Sequence, residues 1–121
     1  MAIFFATSTP KKLLASFKNA IDEERVTDWA YDADGDFTHT SKQCINKAWL
    51  HPEFDDECLS VFTLPPKNGN VSQDLYAKYQ GLFLGAMITH CHSLFTQGTA
   101  TASPTSKDLL KGADQNTSIW K

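Results

Sequence analysis

The chain has 121 residues, 41% of them hydrophobic and 12% aromatic, and a formal net charge of −3. That length fits one domain with a core of its own, and the acidic balance, with a pI near 5.7, argues against non-specific nucleic-acid binding, which needs a basic surface. No stretch approaches the roughly 18 apolar residues of a membrane span, the opening MAIFFATSTPKK lacks a basic region and an A-x-A cleavage site, and Cys44, Cys58 and Cys91 are too odd a number to pair fully within one chain, so the expectation is a cytoplasmic protein with free thiols.

Residues 2–6 (AIFFA) form a short apolar run that predicts a buried strand. Thr9 and Pro10 then supply a cap and a first helical position for a helix to about Glu24. Its buried stripe is Leu13, Leu14, Phe17, Ala20 and Ile21, with Lys11, Lys12, Lys18 and Asn19 outward. Asp22, Glu23 and Glu24 crowd the negative end of that helix, which is mildly unfavourable and marks a solvated corner or an acidic spot.

From residue 26 to 64 the period changes to two. Asp34-Gly35 is a tight-turn signal between Trp29 and Tyr31 on one side and Phe37 and His39 on the other, so residues 27–31 and 36–40 read as a hairpin. A connection over 41–46 leads to a third strand at 47–52 (KAWLHP), and a fourth follows at 58–64 (CLSVFTL) after the polar Asp55-Asp56-Glu57. Pro65-Pro66 ends the sheet, because proline cannot donate to a ladder.

Residues 72–95 predict the longest helix. Ser72 is a good N-cap, Asp74 lies at the positive end of the dipole, and Val71 and Tyr76 have the spacing of a hydrophobic staple. Leu75, Tyr76, Tyr79, Leu82, Phe83, Ala86, Met87, Cys91, Leu94 and Phe95 give a broad apolar stripe. Gly98 is placed to stop the helix. Gly81 and Gly85 each cost about 1 kcal/mol against alanine, and their spacing allows close packing on the sheet or a helix–helix contact between copies. The remainder is rich in Thr, Ser, Ala and Asn, which predicts a domain at 1–98 and a docked or partly disordered tail at 99–121.

The order β-α-β-β-β-β-α predicts an α+β fold: a mostly antiparallel sheet of four to five strands with two helices packed on one face. The other face is then bare, and aromatics on a bare face mark a binding site.

Candidate chemistry is thin. Asp32-Ala-Asp34-Gly35-Asp36 alternates carboxylates as a calcium loop does, but glycine precedes the third carboxylate and Gln43 stands at the twelfth place, where glutamate is needed. His90 and His92 flank Cys91 at a spacing that points them to different sides of a helix, unlike the i, i+4 pair of a zinc helix. His39 and His51 could meet Asp34, Asp36 or Glu53 as an acid–base pair, though nothing in the spacing requires it. No P-loop, G-x-S-x-G or G-x-G-x-x-G is present. The sequence therefore points to a non-enzymatic protein-binding module, of the immunity or antitoxin kind, that sequesters a basic partner without cofactor or metal. Its expected contact residues are Trp29, Tyr31, Asp32, Asp34, Asp36, Phe37, Trp49, Asp55 and Asp56. A homodimer closed through the open sheet face or the Gly81/Gly85 surface is the alternative, followed by a small metal-dependent or cysteine-based enzyme.

Overall fold

A computed structural model describes residues 3–105 and 107–108. The strands are β1 (Ile3–Ala6), β2 (Trp29–Tyr31), β3 (Phe37–His39), β4 (Trp49–Phe54), β5 (Cys58–Leu64) and β6 (Gln97–Ala100). The helices are α1 (Pro10–Asp22) and α2 (Gln73–Cys91), and a 3₁₀ turn, His92–Leu94, follows α2. All strand pairs are antiparallel, in the order β2-β3-β4-β5-β1-β6.

The fold is α+β, as expected, but the sheet has six strands rather than four to five. The additional strand is β6, which starts before the expected tail boundary at Gly98 and pairs with β1, setting Phe5 opposite Gly98. Gly98 is therefore not a helix stop. The helix ends earlier, through the 3₁₀ turn, and a Cβ on Gly98 would lie 2.6 Å from a methyl of Leu84 on α2. The glycine serves close approach of strand to helix.

Register fixes the two faces. Opposed residues share a face, so Ile3, Phe5, Leu59, Val61, Leu50, Phe37, Trp29 and Tyr31 lie on one side. Both helices cover that side. Phe83 of α2 sits at its centre, with ring centroids 5.1–6.2 Å from Phe5, Phe17, Trp29 and Phe37. Leu13, Phe17 and Ala20 bring the buried stripe of α1 against the same cluster. Its exit differs slightly from expectation: α1 stops at Asp22, and Glu24 takes a left-handed φ of 61°.

Ser72 caps α2 as expected, its hydroxyl accepting from the Leu75 N–H at 3.1 Å. Tyr79 ties α2 to the loop after β3. Its hydroxyl donates to the Cys44 carbonyl at 2.7 Å and accepts from the His39 N–H at 3.2 Å. Burial raises the Tyr79 phenol above its ordinary value, only partly offset by its hydrogen bonds to Thr38 and His39. Burial does the same for Tyr76 and for the Cys91 thiol.

The second face carries Phe4, Trp49, His51, Glu53, Ser60, Phe62 and Leu64. It is not wholly bare. After β6 the chain packs on Tyr76 through Thr101 and Ser103, then reaches β5, where the buried Asp108 carboxylate accepts from the Thr63 N–H at 2.7 Å. Lys107 stands over the Phe62 ring, 5.2 Å from its centroid. Phe62 and Leu64 are buried, while Phe4 keeps 39% of its surface exposed and Trp49 is half-buried. Among the described residues no helix is long and apolar enough to cross a membrane.

Candidate protein-binding surface

The β2–β3 turn is built by Asp32. Its carboxylate accepts from the N–H groups of Asp34 and Asp36, both at 3.0 Å, and its carbonyl accepts from the Gly35 N–H at 2.9 Å. Gly35 takes a φ of 83°, which glycine adopts without the penalty of a Cβ. This local chemistry gathers the three carboxylates of Asp32, Asp34 and Asp36 within 4.8 Å of one another. Asp34 points to solvent, whereas Asp36 is 2% exposed and contacts His51 Nδ1 on β4 at 2.6 Å. The pair of Asp36 and His51 is thus one of the acid–base combinations weighed from sequence, brought together by the β3–β4 pairing. His39 goes elsewhere, facing Asp28 at 3.6 Å.

Tyr31 continues this surface toward α1. Its hydroxyl donates to the Asp22 carboxylate at 2.7 Å, and that carboxylate raises the phenol above its ordinary value. Lys18 lies over the Tyr31 ring at 5.3 Å.

The β4–β5 turn leaves the sheet in the same direction, because the first turn precedes β3, the second follows β4 and these strands are antiparallel; it lies farther along, since β4 continues from Leu50, opposite Phe37, to Phe54. Asp55 shapes it, its carboxylate accepting from the Glu57 N–H at 2.9 Å. Asp55, Asp56 and Glu57 are exposed. Between this turn and the start of α1 runs a groove of about 530 Å³ that includes Lys11, Lys12, Phe54 and Asp56 in its walls. Phe54 is 46% exposed, with Lys11 over its ring at 5.5 Å. A second groove of about 580 Å³ lies on the open face between Phe4, Ser60, Phe62 and Lys107.

Three of the expected contact residues are buried. Trp29 is 2% and Phe37 0% exposed, both under the helices, and Asp36 is 2% exposed against His51. The alternation that suggested a bare aromatic face was real, but those aromatics occupy the helix-covered side. Tyr31 and Asp32 are half-buried, Asp34, Asp55 and Asp56 are exposed, and Trp49 is half-buried on the open face. Sequence reasoning missed Phe4 and Phe54 as exposed aromatics. The signal available for Phe4 was alternation within AIFFA, which sends Phe4 and Phe5 to opposite faces.

The remaining candidates are dispersed. Cys44 and Cys91 are buried and Cys58 is half-buried, all as free thiols. The Cys91 thiol lies 3.8 Å from the Ser16 hydroxyl, His92 is exposed and His90 is half-buried. Asp32, Asp34 and Asp36 are, among the described residues, the group of three whose ligand atoms converge. No family model, no curated protein and no solved structure matches the chain.

Proposed function

We propose that this chain is a non-enzymatic protein-binding module that holds a basic partner against the acidic end of its sheet. The observation that carries this reading is a pair of carboxylate-rich turns that leave the sheet in the same direction. In one, Asp32 and exposed Asp34 lie within 4.8 Å of the buried Asp36 carboxylate; in the other, Asp55, Asp56 and Glu57 are exposed, farther along because β4 runs on from Leu50, opposite Phe37, to Phe54 before it turns. Carboxylates arranged this way speed encounter with a cationic surface and fix its orientation. Tyr31 and the exposed Phe54 add amphipathic and apolar contact beside the charge, the residue types that anchor interfaces. Toxin neutralisation, in which such a module covers a basic active cleft, is the biological role that suits this surface.

The Asp36–His51 pair favours a second, catalytic reading, since a buried carboxylate orients a half-exposed imidazole. Changing His51→Gln separates the two. It leaves capture of a basic partner intact and abolishes any turnover that depends on the imidazole.

The test is capture from the native host's lysate with wild type and with an Asp34→Lys/Asp56→Lys/Glu57→Lys variant. All three positions are exposed, so the fold tolerates the change. The expected result is a basic protein retained by wild type at about 0.1 M salt, released near 1 M as screening shortens to about 3 Å, and absent from the variant. Equal retention by the variant, or no basic protein retained by wild type, overturns the reading.

A further inference from the structure

α2 has a second face that the described residues leave exposed. Its inner side carries Tyr76, Tyr79, Phe83, Met87 and Cys91 into the core. On the outer side Leu82 is 39% and Ile88 52% exposed. Between Lys78 and Lys107 the sequence contains no Asp, Glu, Lys or Arg, although 21% of the chain is charged. Depletion of charge with retention of apolar side chains is the composition of an interface centre rather than of a solvated helix face. Gly81 and Gly85 lie in the same region, and a Cβ on either would meet nothing within 4 Å. Among the described residues, nothing requires glycine there.

The face is complementary to itself. At 100° per residue, Asp74, Lys78, Gly81, Gly85 and Ile88 fall within about 40° of a single line along the helix. His92 follows one turn after Ile88, just past Cys91, whose φ of −133° and ψ of 18° leave helical backbone as the 3₁₀ turn begins. These positions are also symmetric along the chain. Asp74 and His92 stand nine residues either side of position 83, Lys78 and Ile88 five, Gly81 and Gly85 two. Two copies of α2 laid antiparallel about a two-fold axis at that level therefore bring Asp74 of each against His92 of the other. They set Gly81 against Gly85, where the backbones approach most closely, and lay the aliphatic stem of Lys78 over Ile88. Antiparallel placement also opposes the helix dipoles favourably. Neither the Asp74 carboxylate nor the His92 ring is taken up by a core contact, as both residues are exposed.

We propose that the outer face of α2 is the two-fold contact of a homodimer, with a second copy of this chain as its occupant and Asp74–His92 pairs closing both ends. A closed, isologous contact of this kind uses the same patch on both subunits. It leaves the acidic end of the sheet, formed by other elements, free for a different partner, and the two surfaces can fail independently.

The test uses sedimentation velocity on the full chain and on two single variants, Asp74→Lys and His92→Asp, with circular dichroism to confirm that each folds. In the antiparallel arrangement His92→Asp sets carboxylates against one another at both ends, and Asp74→Lys replaces the carboxylate facing His92 with a cation at both ends. In a mixed dimer one end sets the introduced lysine at 74 against the introduced aspartate at 92, and the other end keeps the wild-type Asp74–His92 pair. The expected result is a wild-type dimer at about 100 μM, at least tenfold weaker self-association for each variant alone, and recovery toward the wild-type value in the equimolar mixture. A wild-type monomer at that concentration overturns the proposal, as do variants that associate like wild type. A mixture as weak as its components also overturns it, because that outcome places the contact elsewhere or in another orientation.

Discussion

The two helices pack on the same side of the same sheet, yet they are finished differently. α1 is sharply amphipathic. Leu13, Phe17 and Ala20 are buried, and Lys11, Lys12 and Asn19 stand in water. α2 buries a larger set, Tyr76, Tyr79, Phe83, Met87 and Cys91, but turns Gly81, Leu82, Gly85 and Ile88 outward. An amphipathic helix is complete once its stripe meets the core, whereas a helix apolar on both sides calls for a second neighbour. The comparison teaches that covering a sheet face does not by itself account for a helix, and that the outward residues tell which helix has further work.

The sharpest way to test the inward half of this comparison is at adjacent residues of α2. Phe83→Ala empties the point where Phe5, Phe17, Trp29 and Phe37 meet, and urea denaturation should show a loss of about 3–5 kcal/mol. Leu82→Ala, one residue earlier and facing out, should cost less than about 1 kcal/mol when measured on dilute monomer. Similar losses at the two positions would mean that α2 has no distinct outer face.

Tyr79→Phe removes only an oxygen. It leaves the buried His39 N–H without this partner and the Cys44 carbonyl with the Lys47 N–H alone, and the same titration should register about 1–3 kcal/mol. A smaller group of effects follows from pH. The phenols of Tyr76 and Tyr79 and the thiol of Cys91 are all raised by burial, so the folded chain holds those protons more tightly than the unfolded one. Their contribution is complete below the unfolded values, about 9 for the thiol and 10 for the phenols, and is lost as pH rises from there through the folded values. Thermal melts between pH 8 and 11 should show a falling midpoint that begins near pH 9. In Tyr79→Phe the part of that fall above about pH 10 should be reduced. A midpoint insensitive to alkali would contradict the burial of these groups.

Much of this architecture was legible in the chain. Local chemistry marked the strands and both helices, because period-two alternation, Pro10 at a helix start, Ser72 as a cap and Asp34-Gly35 as a turn each act over a few residues. β6 was missed because Gln97–Ala100 has no strand composition; it is a strand only because β1 offers an unpaired edge and Gly98 fits beneath Leu84. Trp29 and Phe37 were assigned to a partner surface because alternation shows that residues share a face but not which face the helices take. The Asp36–His51 pair depends on strand pairing between residues 15 positions apart, a relation that linear spacing does not encode. The acidic turns were readable as polar segments, and their leaving the sheet in the same direction follows from antiparallel connectivity.

The contrast between a finished and an unfinished helix is tested most directly by Gly81→Ala/Gly85→Ala, followed for both stability and self-association. Neither glycine has a neighbour that a methyl group would strike, and alanine favours a helix by about 1 kcal/mol per site. The double variant should therefore unfold at higher urea than wild type under dilute conditions and should associate less at high concentration, since the added methyls hold two helix backbones apart. A variant less stable as a monomer, or one that self-associates as wild type does, would contradict the account.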